Sequence, residues 1–323
     1  MKAIVQDRYG SADVLELRDI DPPAISTDEV LLEVRAAGVE PGVWHLMTGL
    51  PYLVRVMGYG LTKPKYPVRG RDVAGRVEAV GANVTRFQPG DEVFGTCEGS
   101  FAEYAAAQED KLALKPANLS FEEAAVIPIS GMTALQALRD KGRVRPGDKV
   151  LIIGAGGGVG TFAVQLAKAF GAEVTGVCST SKVDLVESIG ADHVIDYTRE
   201  DFADRADQYD LIIDNAGNRP LSQLRRALAT GGTLVIVGGE EGGAWVGPAD
   251  RILPVAILSP FVRQRLLPLM AGERQDDLQL LAEMAESGKF TPAVDRRYPL
   301  VEAADAVRYV GEGHARGKVV VTI

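Results

Sequence analysis

The chain has 323 residues, room for roughly two domains at ~150 residues each. Apolar residues make up 46% and charged residues 24%, which excludes a disordered tail protein, because this much apolar surface offsets the ordering entropy of the chain. The 35 Lys and Arg against 44 Asp and Glu leave a net charge of −9, which disfavours nucleic acid and anionic membranes as partners of the whole molecule. Glycine is the one excess, at 36 residues against an average near ~7%, and tight turns or close backbone approach to a ligand require it. Two cysteines, Cys97 and Cys178, cannot build a disulfide framework or a four-thiolate metal site. Met1 to Val5 runs directly into Gln6-Asp7-Arg8, so no apolar targeting core is expected, and a cytoplasmic protein is.

In chain order, Ala3–Val5, Glu29–Val34, Val73–Val80 and Glu92–Phe94 read as strands. Turn chemistry such as Gln88-Pro89-Gly90-Asp91 separates them, and the stretch up to about residue 115 reads as all-β. Ser120-Phe121-Glu122-Glu123 is a capping box, with Ser120 at the N-cap and Glu123 three residues on. From Lys149, apolar runs alternate with helical patterns. Val150–Ile153 is a strand, Val159–Phe170 a helix, Glu173–Cys178 a strand and Ser181–Ile189 a helix. His193–Ile195, Asp210–Ile213 and Thr233–Val237 continue the strands, with a helix at Leu221–Leu228. This alternation predicts a parallel sheet covered on both faces. A long amphipathic helix follows at Asp276–Ser287, and the strand Gly317–Ile323 returns to the N-terminal β domain. The expected fold is α/β: a doubly wound parallel sheet over 122–259, and a β domain from 1–121 and 260–323, which the family resemblance given below identifies as Rossmann and GroES-like β-barrel domains.

Gly154-Ala155-Gly156-Gly157-Gly158-Val159-Gly160 follows a strand and opens a helix, where backbone N–H groups and a helix N-terminus hold a pyrophosphate. Its spacing is G-x-x-G-x-x-G on Gly154, Gly157 and Gly160. The second strand ends at Cys178-Ser179-Thr180-Ser181-Lys182, where an NAD site usually places a carboxylate for the ribose hydroxyls. Hydroxyls and Lys182 stand there instead, which favours the 2′-phosphate of NADPH. A helix cap and a solvated face are the competing account of Ser179 and Lys182.

The chain resembles the zinc-independent quinone oxidoreductase branch of the medium-chain dehydrogenase/reductase family from end to end. The likeness is carried by Gly70-Arg71-Asp72-Val73-Ala74-Gly75, by Val80 to Val93, by Gly131-Met132-Thr133-Ala134 and by the glycine turn. Gly190 to Tyr197, Asp214-Asn215-Ala216-Gly217 and Gly313 to Lys318 complete it. The resemblance implies a GroES-like domain built from both chain ends, a Rossmann domain between them, and an active site in the cleft. It implies that Gly156, Gly158 and Val159 meet the pyrophosphate and that Ser179, Lys182 and Tyr197 surround the 2′-phosphate. Thr133, Asn215 and Gly238 are implied at the rest of the cofactor, and His314-Ala315-Arg316 as a segment closing over it. A surface turn is the other account of His314 and Arg316, and a half-buried aromatic that of Tyr197. The resemblance also implies a homodimer.

Zinc alcohol dehydrogenases in this family use a Cys, a Gly-His-Glu motif and a second Cys, plus a four-Cys lobe. Here the motif position reads Gly70-Arg71-Asp72 and Cys97 is alone in the lobe region, so no metal is expected. Relatives often carry Asn-Pro-x-Asp where this chain has Glu40-Pro41-Gly42-Val43. Glu40 could hold the nicotinamide carboxamide, deliver a proton, or be a structural change. Glu40, Trp44 and Tyr52 are the candidates for a substrate pocket, and no catalytic residue is singled out. The apolar stretch Leu50–Gly60 reads either as a lip over that pocket or as a loop packing on the β domain or a dimer partner. The expected activity is metal-free hydride transfer from NADPH to a small quinone or enone. Quinones and enones need little polarisation because conjugation spreads the arriving charge. Enoyl or 2-alkenal reduction, and an NADPH-binding sensor without turnover, are the alternatives.

Overall fold

Glu29-Val30-Leu31-Leu32-Glu33-Val34 alternates in polarity, and a half-buried strand places every second side chain on one face. In the computed structural model, which describes residues 1–204, 209–238, 245, 254–255 and 257–323, that stretch is the start of a longer strand. Val30, Leu32 and Val34 point inward, and from Ala36 to Val39 both faces are covered.

The first segment carries strands β1 (Lys2–Val5), β2 (Glu16–Asp19) and β3 (Glu29–Val39), then helix α1 (Pro41–Thr48). It continues with β4 (Asp72–Val80), β5 (Glu92–Thr96), β6 (Tyr104–Gln108) and β7 (Leu112–Leu114), then α2 (Phe121–Ala125) and α3 (Pro128–Gln136). Next come β8 (Lys149–Ile153), α4 (Gly158–Ala169), β9 (Glu173–Cys178), α5 (Val183–Ser188), β10 (His193–Asp196) and β11 (Tyr209–Asp214). α6 (Leu221–Ala227), β12 (Leu228–Ile236) and β13 (Arg265–Pro268) follow, and the chain closes with α7 (Gln275–Glu286), β14 (Val294–Pro299), α8 (Ala303–Gly311) and β15 (Lys318–Thr322).

Two compact units result: Met1–Met132 with Glu273–Ile323, and Thr133–Gly272. Both junctions fall later than the expected 121/122 and 259/260. α2 buries Ala124 and Ala125 in the first unit, and Gly131 packs on Leu281 of α7 in the same unit. Beyond residue 259, β13 extends the parallel sheet of the second unit. Gly272 is tied into that unit by the side-chain amide of Gln136, whose Nε2 donates to Gly272 O at 2.7 Å and whose Oε1 accepts from Gly272 N at 2.9 Å.

In the first unit, the sheet order is β14-β15-β3-β4-β5-β7, with β6 also paired to β3. β15 runs antiparallel to β3, Val319 opposite Val39 and Thr322 opposite Ala36, so the last strand returns as expected. One core gathers Val30, Leu32, Val34, Val73, Val77, Val93 and Leu112. A second gathers Val39, Val43, Met47, Phe101, Val307 and Val319. Each such fully buried aliphatic side chain contributes roughly 1.5–3 kcal/mol. The all-β reading of this region is corrected at α1. Pro41 suits the first helical turn, and Gly49 ends the helix at φ +64°.

In the second unit, six parallel strands lie in the order β10-β9-β8-β11-β12-β13. The order reverses between β8 and β11, and in such sheets ligands bind beyond the carboxyl ends of the strands at that reversal. Leu151, Ile153, Val177, Ile212, Leu224 and Leu234 form its core. Among the described residues, no helix is long and apolar enough to cross a membrane.

Candidate functional site

The turn after β8 is shaped by two glycine requirements. Gly154 has φ +77°, and a Cβ on Gly160 would lie 2.1 Å from the Gly154 carbonyl oxygen. Gly154 and Ala155 both donate their N–H to Val177 O at 3.0 Å, and Gly157 donates to Gly154 O at 3.1 Å. α4 then begins at Gly158, with Gly157 as an N-cap that offers no side-chain acceptor. Its first N–H groups, on Gly158 and Val159 among others, are left for an anion. The stem of Lys182 packs over Gly156, so a Cβ there would come within 2.8 Å of it.

Beside the turn, Ser179 caps a short helical turn with its carbonyl, which accepts from Lys182 N at 2.9 Å. Ser179 Oγ and Ser181 Oγ lie 3.3 Å apart. Tyr197 N donates to Cys178 O, and its ring is 49% exposed. Sequence reading missed Asp196, which parallel pairing sets directly opposite Cys178. Its oxygens accept from Thr180 Oγ1 at 2.6 Å, Thr198 Oγ1 at 2.8 Å and Thr198 N at 3.0 Å. The Thr180 hydroxyl above all, with Thr198 and Arg199, holds its carboxyl below the usual carboxylate range. The local sequence carried only the end of a strand as a signal; the register put a carboxylate beside the Ser179 segment.

Across the reversal, Asn215 follows β11. Its backbone N–H and its Nδ2 both donate to Ile153 O at 3.1 Å, while its Oδ1 is buried with no partner. A buried amide oxygen left unpaired carries a desolvation cost that a ligand donor would remove. Gly238 lies against Asn215, where a Cβ would meet the Asn215 carbonyl at 1.9 Å. Thr133 is partly buried on α3. The structure thus brings Gly156, Gly158, Val159, Ser179, Lys182, Tyr197, Asn215 and Gly238 to the carboxyl ends of β8 to β12.

In the first unit, Glu40 is the N-cap of α1 and accepts from Gly42 N at 2.7 Å. It is only 5% exposed, and its Oε1 has no partner. Trp44 packs on Gly311 of α8 and on the adjoining core. Tyr52 lies under the Arg55 guanidinium, which also stacks on Tyr9. His314 is exposed 3.7 Å from Glu312, Ala315 packs on the core, and Arg316 N donates to Asp295. These three lead into β15.

Glu40 also has charged neighbours that the sequence did not reveal. Asp72 and Lys318 are both buried 3.5 Å apart, Lys318 Nζ donates to Ser130 Oγ at 2.9 Å, and Asp72 Oδ1 accepts from Ile129 N. Burial pushes the Asp72 carboxyl up, against the pull of Lys318. Arg71 donates to Glu273 and lies 3.5 Å from Glu98. Burial pushes the Glu98 carboxyl up, with Arg71 and Arg69 pulling back. As for zinc, no group of three or more His, Cys, Asp or Glu able to hold a metal occurs among the described residues. Burial pushes both thiols up, Cys178 to about 11, so neither is a ready thiolate.

A doubly wound parallel sheet with a glycine turn at its reversal, carried with a GroES-like barrel, defines a dinucleotide-dependent oxidoreductase. Residues 26–117 match the alcohol dehydrogenase GroES-like domain, 131–217 the C-terminal domain of alanine dehydrogenase/PNT, and 189–321 the zinc-binding dehydrogenase family. The chain is 36% identical to the NADPH-dependent alkenal/one oxidoreductase of Arabidopsis thaliana, over 99% of this chain and 79% of that one. It is 35% identical to the 2-methylene-furan-3-one reductase of Solanum lycopersicum, with the same coverage. The quinone oxidoreductase structure from Coxiella burnetii superposes with a TM-score of 0.88 at 30% identity, covering 100% of this chain and 99% of that one. The chain belongs to the medium-chain dehydrogenase/reductase family, in its quinone oxidoreductase branch.

Proposed function

We propose that the protein is an NADPH-dependent reductase that delivers hydride to a small conjugated carbonyl acceptor, a quinone first. The observation that carries this reading is the uncapped N-terminus of α4 behind the Gly154–Gly160 turn, with the orphaned Asn215 Oδ1 beside it. Gly156, Gly158 and Val159 would hold the pyrophosphate by backbone N–H groups. Ser179, Lys182 and Tyr197 would surround the 2′-phosphate, and Asn215, Gly238 and Thr133 the rest of the dinucleotide. His314, Ala315 and Arg316 are proposed as a further contact.

When bound, NADPH supplies the hydride. The residues of the chain bind, orient and exclude water. Asn215 Oδ1 is an acceptor in search of an N–H or O–H, and Asp196 has its oxygens occupied by Thr180 and Thr198. A 2′-phosphate therefore meets hydroxyls and the Lys182 ammonium. A charge-assisted contact of this kind contributes about 1.5–3 kcal/mol, so NADPH is expected to bind about tenfold tighter than NADH or better. Equal affinities would remove Ser179, Lys182 and Tyr197 from that role.

Reduction of a carbon–carbon double bond is the second reading, supported by the two relatives named for alkenal/one and methylene-furanone substrates. The same hydride serves both acceptors. Steady-state NADPH oxidation with 1,4-benzoquinone, 9,10-phenanthrenequinone and a 2-alkenal ranks them. Tight NADPH binding without oxidation by any acceptor would overturn turnover and leave a sensor. We further propose a cytoplasmic homodimer formed at β13, the last strand of the parallel sheet among the described residues, flanked by exposed Ile257, Phe261 and Met270. Light scattering at micromolar concentration tests the dimer, and a monomer would remove it.

A further inference from the structure

Buried polar atoms rarely lack partners, so where several lack them together a ligand or water is the ordinary explanation. Five of the eight buried side-chain atoms without a hydrogen bond among the described residues fall in one region of the first unit: Glu40 Oε1, Arg69 Nε, Ser100 Oγ, and Arg71 Nε and Asp72 Oδ2, which each lie 3.5 Å from an opposite charge. Arg69 to Asp72 run into β4, and Ser100 lies on the facing segment after β5. Their backbones are locked together: Cys97 N donates to Arg71 O at 2.9 Å, Gly99 N to Gly70 O at 2.9 Å, and Phe101 N to Arg69 O at 2.8 Å. Glu40 is one of the charges acting on both Arg71 and Asp72.

Arg71 stands out within this group. A guanidinium has five N–H donors in a fixed fork, and here one Nη2 hydrogen is engaged, by Glu273. Glu273 is itself anchored, its Oε2 accepting from Thr96 Oγ1 at 2.9 Å and its carbonyl from Lys111 Nζ at 3.2 Å. Glu98 sits 3.5 Å from Nε without forming a hydrogen bond. Burial favours loss of the Arg71 proton, but Glu273 and Glu98 more than offset it, so the cation is held. The result is a rigidly placed, permanently charged fork with unused donors in a partly dry surround. Such a fork, its charge balanced by two carboxylates, keeps N–H donors that can meet an oxyanion.

We propose that Arg71 is a catalytic residue that holds the acceptor carbonyl oxygen, with Glu273 and Glu98 as positioning residues. The inference rests on the reading of the protein as an NADPH-dependent reductase, and it specifies the acceptor as one whose oxygen takes up negative charge. Hydride adds to the conjugated system and NADPH leaves as NADP⁺. The displaced electron pair moves to the carbonyl oxygen, which the Arg71 guanidinium stabilises, and a proton from water completes the product.

The experiment uses the full chain with Arg71→Ala, Arg71→Lys and Glu273→Gln. An acceptor that bears its charge poorly should depend most on Arg71. Arg71→Ala is therefore expected to lose about a hundredfold in kcat/KM with a 2-alkenal and about tenfold with 1,4-benzoquinone. NADPH affinity, read by fluorescence quenching, should stay within about twofold, and millimolar guanidinium should restore part of the lost rate. Glu273→Gln should lower kcat in the same acceptor order. Rates of Arg71→Ala within about threefold of wild type, or equal losses on both acceptors with no guanidinium rescue, would overturn the proposal. If Arg71→Ala does not fold, Arg71→Lys serves, and wild-type rates in it would overturn the proposal equally. Wild-type protein that binds no NADPH, or turns over no acceptor, would bring down the parent reading together with this one. An active wild type with an unaltered Arg71→Ala would bring down this one alone.

Discussion

The two units build their candidate sites from different materials. In the parallel-sheet unit the site is backbone: glycine turns, the first N–H groups of α4 and the ends of strands, with few side chains in direct roles. In the barrel unit it is side chain: Glu40, Asp72, Lys318, Arg71 and Glu273, each partly or fully buried among apolar strands. A backbone site tolerates side-chain truncation but not the addition of a Cβ. A buried charge cluster tolerates paired replacement but not the removal of one partner. Each half of that contrast can be broken by substitution.

The largest effect is expected at Gly160. Gly160→Val places a Cβ about where the Gly154 carbonyl now lies, 2.1 Å away, so α4 cannot seat on the turn. NADPH affinity should fall at least about a hundredfold, with a lower yield of folded protein, measured by fluorescence titration and circular dichroism. Binding that survives this change would remove the turn from the site.

Next comes Lys318→Met, which leaves Asp72 buried and unpaired. Lys318 is 2% exposed and Asp72 fully buried, and breaking such a pair costs about 3–5 kcal/mol. Urea unfolding should show this, and Asp72→Asn added to Lys318→Met should recover part, since an Asn oxygen still accepts from Ile129 N. The pH dependence has a definite sign. Burial raises the folded carboxyl above its unfolded value near ~3.9, and loss of Lys318 raises it further. The contribution of Asp72 to stability is therefore fullest below that value and is lost as pH rises through the folded one. The penalty of Lys318→Met should stay nearly level up to the folded value of about 7 and grow above it, toward pH 9. A flat penalty would show that Asp72 does not titrate in the fold.

The smallest effect belongs to α2, on neither site. Ser120→Ala removes the hydroxyl that accepts from Glu123 N at 3.2 Å in a complete capping box, at a cost of about 1 kcal/mol. Chemical denaturation should show that loss with NADPH binding unchanged. A change in binding would contradict the assignment of α2 to the barrel unit alone.

Much of the parallel-sheet unit was legible in the sequence because its signals are local. The apolar runs of β8, β9 and β11 and the glycines of the turn each announce themselves within a few residues, as does the Ser120 capping box of the barrel unit. Asp196 was not legible, since only the pairing of β10 with β9 sets it opposite Cys178. In the barrel unit α1 was missed among strand patterns, and α8 and β14 went unread, although α8 buries Ala303, Ala306 and Val307 at helical spacing. Trp44, a candidate pocket residue, packs on Gly311 from a segment more than 250 residues away.

By itself the amino-acid order determined the alternation of strand and helix, the glycine turn and the missing carboxylate at Ser179. Those depend on backbone preferences and spacing, which act between near neighbours. Only the tertiary structure decided that Arg71 meets Glu273, that Lys318 finds Asp72, and that Glu40 keeps an unpartnered oxygen in the same region. Charges far apart in the chain acquire partners when burial removes the water that would otherwise serve them, and which partners they find is set by the register of strands brought together late in the sequence.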